Sequence, residues 1–412
     1  MKKLRPILLA GGVGSRLWPL STEDRPKQFI PIFEEFSLFD LTLQRFNKGQ
    51  LFKKPIIVTS ERYLEQVNES LLRTGIEAER IILEPESKNT FPAITMAIIL
   101  ALEKDKSENF IVTPSDHYIS INKNFHDCCL LARNNLDKKG LILMGITPQH
   151  PSKDFGYIST NSQGTSIKSV RNFIEKPDLE KSKKLIKNPN VYWNAGIFIF
   201  NGLWYLDNLT RINSQALREI SKVVKEGTAK SDFFYPNSEL FNKLRKQSFD
   251  EAFVEKSKLS FMIELRAGWS DLGSWSALGA LQKDPSSSMT LYSKGSYYRA
   301  EKPWGFYEIL MEKEDSKVKL LYVLPGEKLS LQKHKYRSET WYVIEGTAKV
   351  TKENDRFTLK TGDSIVIEKN LLHRLENQLD SPLQIIEVQT GSYFGEDDIV
   401  RLGDSYGRAD LH

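Results

Sequence analysis

The sequence predicts a chain of two parts: an α/β domain on a mostly parallel sheet, then a small all-β domain. In the first part, short β-rich apolar runs recur at Ile7 to Ala10, Ile56 to Val58, Ile81 to Leu83, Phe110 to Val112 and Leu141 to Met144. Between them lie stretches of helical spacing, Leu64, Val67 and Leu71, then Ile94, Ala97, Ile98 and Ala101. Strands alternating with helices make a parallel sheet covered on both faces, and such sheets bind ligands at their strand C-termini. From Glu301 the strand runs follow one another without helices: Lys319 to Leu324, Trp341 to Ile344, Ser364 to Ile367 and Leu383 to Val388. They are punctuated by Pro325-Gly326, Gly346 and Thr361-Gly362. Short, evenly spaced strands point to an antiparallel barrel or double-sheet roll. Asp284 to Ser288, with Pro285 and three serines, marks the junction. The expected division is 1–283, a linker at 284–300, and 301–412.

At 412 residues, 40% hydrophobic and 27% charged, the chain can bury the cores of two globular domains. A net charge of +5 without a long Lys or Arg run argues against nucleic acid as a partner and fits an anionic small substrate. No stretch of about 18 apolar residues offers a membrane span. The only cysteines, Cys128 and Cys129, are adjacent, which excludes a disulfide framework and a CxxC site and fits a reducing cytoplasm. The basic start, Met1 to Arg5, precedes an apolar run too short for a secretory signal.

Directly after the first strand comes Gly11-Gly12-Val13-Gly14-Ser15-Arg16-Leu17-Trp18-Pro19-Leu20, then Pro26-Lys27-Gln28-Phe29. Glycines at such a turn let backbone N–H groups approach phosphate oxygens, while Arg16 and Lys27 can neutralise charge on a departing pyrophosphate. The run lacks the last Gly of GxGxxG, and no Walker A string exists. Pro114-Ser115-Asp116-His117 ends a buried strand, where a carboxylate is expensive unless paired or holding a metal. Mg²⁺ takes one or two protein carboxylates plus phosphate oxygens, so Asp116 needs a second aspartate from elsewhere. Asn89, in Glu84-Pro85-Glu86-Ser87-Lys88-Asn89-Thr90, reads as a helix N-cap with Pro92 in the first turn.

Taken whole, these strings resemble the sugar-1-phosphate nucleotidyltransferases, and Arg-Leu-Trp-Pro-Leu with Pro-Lys-Gln-Phe is similar to their mannose-1-phosphate guanylyltransferase branch. The resemblance implies a Rossmann-like domain whose turn, Gly11, Gly12, Gly14, Ser15, Arg16, with Lys27 and Asn89, holds the nucleotide. It implies Asp271, in Trp269-Ser270-Asp271-Leu272-Gly273, as the partner of Asp116 at Mg²⁺, and Arg16, Lys27, Asp116 and Asp271 as the catalytic set. The sugar phosphate would meet Gly156 and Tyr157, Glu175 and Lys176, and Asn194. Two positions depart from the family pattern: Lys88 stands where Arg is usual and Ala195 where Ser is usual.

In the C-terminal part, Gly326, Gln332, His334, Glu339 and Gly346, then Gly362, His373 and Asn377, fit the spacings G-x5-[HQ]-x-H-x4-E-x6-G and G-x10-H-x3-N of a cupin. Gln332, His334, Glu339 and His373 would form an N/O metal set suited to Zn, Mn, Fe or Co. Lys302-Pro303-Trp304-Gly305, His373-Arg374-Leu375-Glu376-Asn377 and Glu387-Val388-Gln389-Thr390-Gly391-Ser392-Tyr393 resemble the type II mannose-6-phosphate isomerase half of bifunctional bacterial enzymes. Where that family reads Gln-Met-His-His-His-Arg-Ala-Glu-His, this chain reads Gln332-Lys333-His334-Lys335-Tyr336-Arg337-Ser338-Glu339-Thr340, with three histidines replaced. The stretch between Asp271 and Glu301 is also shorter than the β-helix-like connector of those enzymes.

The resemblance implies a cytoplasmic homo-oligomer making GDP-mannose and pyrophosphate from GTP and mannose 1-phosphate for surface polysaccharide. A cupin acting on mannose 6-phosphate is the accompanying expectation. The alternatives are a cupin that is a non-catalytic binding or dimerisation module, and transfer from another NTP to another hexose 1-phosphate.

Overall fold

The computed structural model describes residues 2–12, 21, 23–33, 36–136, 140–161, 165–273, 299–312, 315–395 and 398–403. One compact unit contains Ser37–Asp271 with Met1–Val13 and Glu23–Phe29; the second contains Ile30–Phe36 and Leu272–His412.

The first unit is built on strands β1 (Leu4–Leu9), β2 (Ile56–Ser60), β3 (Arg80–Glu84), β4 (Asn109–Pro114), β5 (Leu141–Ile146), β6 (Tyr157–Thr160), β7 (Lys168–Ile174), β8 (Val191–Asn201), β9 (Thr228–Lys230), β10 (Phe233–Tyr235) and β11 (Ser260–Glu264). They form an 11-stranded sheet in the order β9-β10-β3-β2-β1-β4-β8-β5-β11-β7-β6. From β10 to β4 every pairing is parallel, as is β5 with β11. The long strand β8 enters antiparallel between β4 and β5, a feature that alternating strand and helix signals do not reveal. Leu9 is in register with Val58 and Pro114, so the chain leaves β1, β2 and β4 at the same edge.

Period-two alternation sends Ile7 to one face of the sheet and Leu8 to the other. Ile7 packs in the core with Ile94, Ala97 and Ile98 of helix α3 (Thr90–Lys104). Leu8 packs in the core with Phe39 and Leu43 of α1 (Leu38–Arg45), Val67 of α2 (Leu64–Thr74) and Phe125 and Cys129 of α4 (Asn122–Arg133). Both cysteines are free. Each fully buried Ile, Leu or Phe contributes about 1.5–3 kcal/mol, which holds the two helical layers to the sheet. Local signals set the helix ends: Ser37 and Asp40 form a capping box on α1, and Gly75 ends α2 in the left-handed conformation. Among the described residues no helix is long and apolar enough to cross a membrane.

In the second unit the strands are β12 (Arg299–Lys302), β13 (Gly305–Glu312), β14 (Ser316–Val323), β15 (Leu331–His334), β16 (Arg337–Glu345), β17 (Thr347–Lys352), β18 (Asp355–Lys360), β19 (Ser364–Ile367), β20 (His373–Glu376), β21 (Leu383–Gly391) and β22 (Ile399–Gly403). Six form the sheet β12-β13-β14-β21-β16-β19 and five the sheet β18-β17-β20-β15-β22. The pairings are antiparallel, and Leu321, Trp341, Val343 and Ile385 of one sheet share a core with Ala348, Val350 and Leu375 of the other. This is the double-sheet arrangement expected of the second domain. At the β16–β17 turn Gly346 has φ +88, and a Cβ there would lie 2.9 Å from the Pro382 carbonyl oxygen, so only glycine fits.

Candidate active site and metal centre

The first site forms where β1, β3 and β4 end. A cavity of about 190 Å³ is lined by Gly11, Gly12, Glu84, Asn89 and Asp116, among others. Gln28 shapes its floor: its side-chain amide donates to the carbonyls of Ala10 and Gly12, holding the glycine turn open. Gly14, Ser15 and Arg16 lie outside the described residues. Asn89 caps α3 by accepting from Thr90 N at 2.8 Å, with a φ of 68, and lines the cavity as well. Lys88 turns elsewhere, donating to the Asn242 carbonyl and pairing with Glu86.

Lys27, on a buried 3-10 turn, joins the two predicted carboxylate positions. Its ammonium lies 2.9 Å from Asp116 Oδ2 and donates to the backbone carbonyl of Asp271. A short antiparallel pair, Tyr118–Ile119 with Trp269–Ser270, brings the two segments together, and the Trp269 indole donates to His117 Nδ1 at 3.2 Å. Burial pushes the Asp116 carboxyl up, but Lys27 and His117 outweigh it and hold the group at about 2. The site therefore presents an ionised carboxylate and a buried cation where β4 ends.

Next to it, Gly156, Glu175 and Asn194 converge. A Cβ on Gly156 would lie 2.8 Å from Glu175 Oε2 and 2.9 Å from the Phe173 ring, so glycine keeps these groups in contact range. Asn194 N donates to the Gly156 carbonyl, and its side-chain amide donates to Asp250 Oδ1 at 2.7 Å. A register shift in β8 between Asn194 and Phe198 re-aims this stretch, and Gly196 follows with φ +68 beside Pro114 and His117. Lys176 pairs with Glu175 at 3.1 Å from an exposed turn with φ 38. Tyr157 departs from the expectation: its ring is fully buried and its hydroxyl is engaged by the backbone of Ser152, so the side chain is not offered to a ligand.

Two carboxylates here escaped sequence reasoning. Asp250 is raised to about 7, by burial first and by the charge of Glu175 second. Its position in the helical start Ser248-Phe249-Asp250-Glu251 looks like ordinary capping. Glu84 is raised to about 8 by burial alone, and its Oε1 has no hydrogen-bond partner among the described residues. Its signal was available, a glutamate ending an apolar parallel strand.

The second site lies inside the C-terminal double sheet. One ligand atom from each of His334, Glu339 and His373 can be chosen so that all lie within 4.8 Å of one another, and all three residues are buried. His334 Nε2 is 3.1 Å and His373 Nε2 3.5 Å from the Glu339 carboxylate. Both His334 ring nitrogens and His373 Nε2 lack a hydrogen-bond partner. An unsatisfied buried polar atom costs roughly 1–3 kcal/mol, so two imidazoles each with an unpartnered Nε2 beside one carboxylate fit a metal better than a packed core. His373 Nδ1 is engaged with the Leu371 carbonyl, which leaves the lone pair on Nε2, the arrangement that a histidine needs to ligate a metal. Gln332 is in register with His373, and its Oε1 accepts from the Ser330 hydroxyl. Burial opposes ionisation of Glu339, yet the two imidazoles hold its carboxyl well below the usual range.

The chain matches the Nucleotidyl transferase family over residues 5–287 and the Mannose-6-phosphate isomerase C-terminal family over residues 293–404. It is 32% identical to the xanthan biosynthesis protein XanB of Xanthomonas campestris pv. campestris, covering 99% of this chain and 100% of the relative. A mannose-1-phosphate guanylyltransferase of Salmonella muenchen is 30% identical, with 98% of each chain covered. The crystal structure of a mannose-6-phosphate isomerase from Helicobacter pylori is 28% identical with a TM-score of 0.57, covering 65% of this chain and 99% of that one. The alignment with XanB runs over 468 residues, more than the 412 of this chain, so the relative carries segments that this chain lacks. By these matches, spread over both units, the chain belongs to the nucleotidyl transferase family, in the form that carries a mannose-6-phosphate isomerase C-terminal domain.

Proposed function

We propose that the chain transfers GMP from GTP to mannose 1-phosphate, releasing pyrophosphate. The observation that carries this is Lys27, buried between Asp116 and Asp271 beside the Gly11-Gly12 turn. A phosphate oxygen of mannose 1-phosphate attacks the α-phosphorus of GTP, the bond to the β-phosphate oxygen breaks, and pyrophosphate departs on the opposite side. The sugar phosphate is already a nucleophile, so positioning and charge neutralisation do most of the work. Lys27, with Arg16, neutralises the phosphates. Asp116 and Asp271 would hold Mg²⁺, whose contribution when bound is charge stabilisation on the triphosphate. Glu175 and Asn194 take the mannose hydroxyls, Lys176 steadies the attacking phosphate, and Asp250 orients Asn194. Glu84 reads the base: guanine's N1–H and N2 amino donors, a pair that uracil lacks, draw its carboxyl, protonated below about pH 8 in the empty site, into the ionised form that accepts from both.

A pyrophosphate-release panel across GTP, UTP and dTTP with mannose 1-phosphate and glucose 1-phosphate tests this. GTP with mannose 1-phosphate should lead, and a preference for UTP or dTTP would overturn the assignment.

A second reading concerns the C-terminal unit, and the orphaned imidazole nitrogens favour it. Gln332, His334, Glu339 and His373 would hold a divalent transition metal, Zn, Mn, Fe or Co, and the unit would interconvert mannose 6-phosphate and fructose 6-phosphate. The metal, when bound, would supply polarisation of the sugar oxygens while a proton moves between C1 and C2. Metal-dependent formation of fructose 6-phosphate supports this reading. Full metal loading without turnover leaves a binding or assembly module. We place the domain limits at 1–283 and 301–412, with a cytoplasmic, homo-oligomeric enzyme as the working picture.

A further inference from the structure

Two histidines of the chain are set by opposite partners. At His373 the Nδ1 nitrogen faces an acceptor, the Leu371 carbonyl, at 2.9 Å. That contact takes an Nδ1–H and leaves the Nε2 lone pair beside Glu339, 3.5 Å away. At His117 the Nδ1 nitrogen faces a donor, the Trp269 indole, at 3.2 Å. An indole N–H only donates, so Nδ1 supplies the lone pair and the proton of the neutral ring sits on Nε2. That Nε2 lies 3.7 Å from Asp116 Oδ1, while Lys27 occupies Oδ2 at 2.9 Å.

The backbone holds Trp269 in this position. Trp269 is in register with Ile119 and Ser270 with Tyr118, and the ladder continues from Ser120 N to the Gly268 carbonyl and from Ile121 N to the Ala267 carbonyl. Gly268 allows the close approach: it has φ +60, and a Cβ there would lie 1.9 Å from Ser120 Oγ. The indole also packs edge-on against the Phe155 ring at 5.5 Å, a contact it would lose by turning away from His117.

Two ligands about 2.1 Å from one metal lie roughly 3 to 4 Å apart, so His117 Nε2 stands within reach of a cation that Asp116 Oδ1 holds. A lone pair at that nitrogen would favour Zn, Co or Ni, because imidazole suits these metals whereas Mg²⁺ takes oxygen ligands. An N–H there offers a metal nothing and is attracted to the carboxylate instead.

We propose that Trp269 is a positioning residue that sets metal selectivity: by donating to His117 Nδ1 it holds the imidazole as a donor toward Asp116, keeps it from ligating, and leaves the N-terminal site an oxygen-only site. The C-terminal histidine His373 is set the other way, as a ligand. The inference rests on the reading of Asp116 as a Mg²⁺ ligand, but its test counts bound metal and reads a spectrum, with no turnover required.

Two measurements on the full chain test it. The first is the ¹⁵N spectrum of histidine-labelled protein at neutral pH, with the His117 signals identified by their absence in His117→Asn. The wild type should show His117 as the Nε2–H tautomer. Trp269→Phe, which keeps an aromatic ring against Phe155 but loses the donor, should show both tautomers. The second is titration with Co²⁺, followed by visible absorption and elemental analysis. Trp269→Phe should take up one more Co²⁺ per chain than the wild type, and the extra ion should be absent from Trp269→Phe/His117→Asn and from Trp269→Phe/Asp116→Ala. Equal Co²⁺ counts in Trp269→Phe and wild type overturn the proposal, as does an extra ion that survives the loss of His117 or of Asp116. If Trp269→Phe fails to fold, the wild-type spectrum decides: an Nδ1–H tautomer or an imidazolium at His117 overturns the proposal, and the Nε2–H tautomer upholds it. The expected counts in a chain whose transfer proves independent of Mg²⁺ would uphold the role of Trp269 and end the Mg²⁺ reading. Mg²⁺-dependent transfer with equal counts would do the reverse.

Discussion

The two candidate metal sites contrast in which of their groups the protein leaves unpartnered. At the N-terminal site Asp116 is paired with Lys27, which also grips the Asp271 backbone, so the carboxylate is neutralised by the protein itself. At the C-terminal site the buried Glu339 carboxylate accepts from Arg337, Trp341 and Gln389, while Nε2 of His334 and of His373 beside it has no hydrogen-bond partner. The difference separates two uses of a metal. A site that takes its cation together with a phosphate substrate must stay tolerable when empty, and a lysine provides that. A resident metal would allow its imidazole ligands to be left without other partners.

Substitutions at the two sites should therefore fail in different ways. The largest effect is expected of Asp271→Ala or Lys27→Ala: pyrophosphate release from GTP should fall by about a thousandfold or more, while metal content in the C-terminal unit stays at the wild-type level. Near-native transfer in both variants would break the N-terminal assignment. His334→Ala should give the opposite pattern, with tightly bound metal lost by elemental analysis and transfer kept within about twofold, since removing one protein ligand from so small a set removes the site. A parallel loss of transfer would mean that the two activities are coupled.

Glu84→Gln sharpens the contrast within the N-terminal site. Discrimination between GTP and ITP, which lacks the N2 amino group, should shrink about tenfold, the worth of one hydrogen bond to a charged acceptor. Unchanged discrimination would remove Glu84 from base reading. The same variant has a thermal signature. Burial raises Glu84 from 4.5 to about 8, so the folded chain binds a proton there that the unfolded chain releases. Stability must then fall as pH rises through that window, by about 1.4 kcal/mol for each pH unit. Glu84→Gln should raise the Tm at pH 9 and leave it nearly unchanged near pH 4.5; an equal shift at both would contradict the burial of an ionisable group. The smallest effect is expected of Gly156→Ala, whose added methyl meets Glu175 and Phe173. A several-fold rise in KM for mannose 1-phosphate with GTP kinetics unchanged would fit, and a rise in both would place Gly156 outside the sugar site.

Much of this was legible in the sequence because its signals are local or fixed in spacing. The apolar runs became β1 to β5, and Gln332, His334 and His373 fell on neighbouring strands of one sheet, with Glu339 on a strand of the other and within reach of both histidines. What was hidden depends on long-range contacts. The antiparallel course of β8 has the same apolar pattern as a parallel strand, so composition could not reveal its direction. Tyr157 belongs to a string that resembles a sugar-binding one, but its hydroxyl is used up by Ser152. Asp250 and Glu84 are carboxylates whose importance lies in burial, and burial is decided by elements distant in the chain.

The central claim is that the chain carries two separate sites with separate metal needs. Its most direct test is pyrophosphate release from GTP and mannose 1-phosphate by protein stripped of tightly bound metal and resupplied with Mg²⁺ alone. The account predicts full transfer while the His334, Glu339, His373 site contains no transition metal. Transfer that returns only when Zn, Mn, Fe or Co is restored would contradict it.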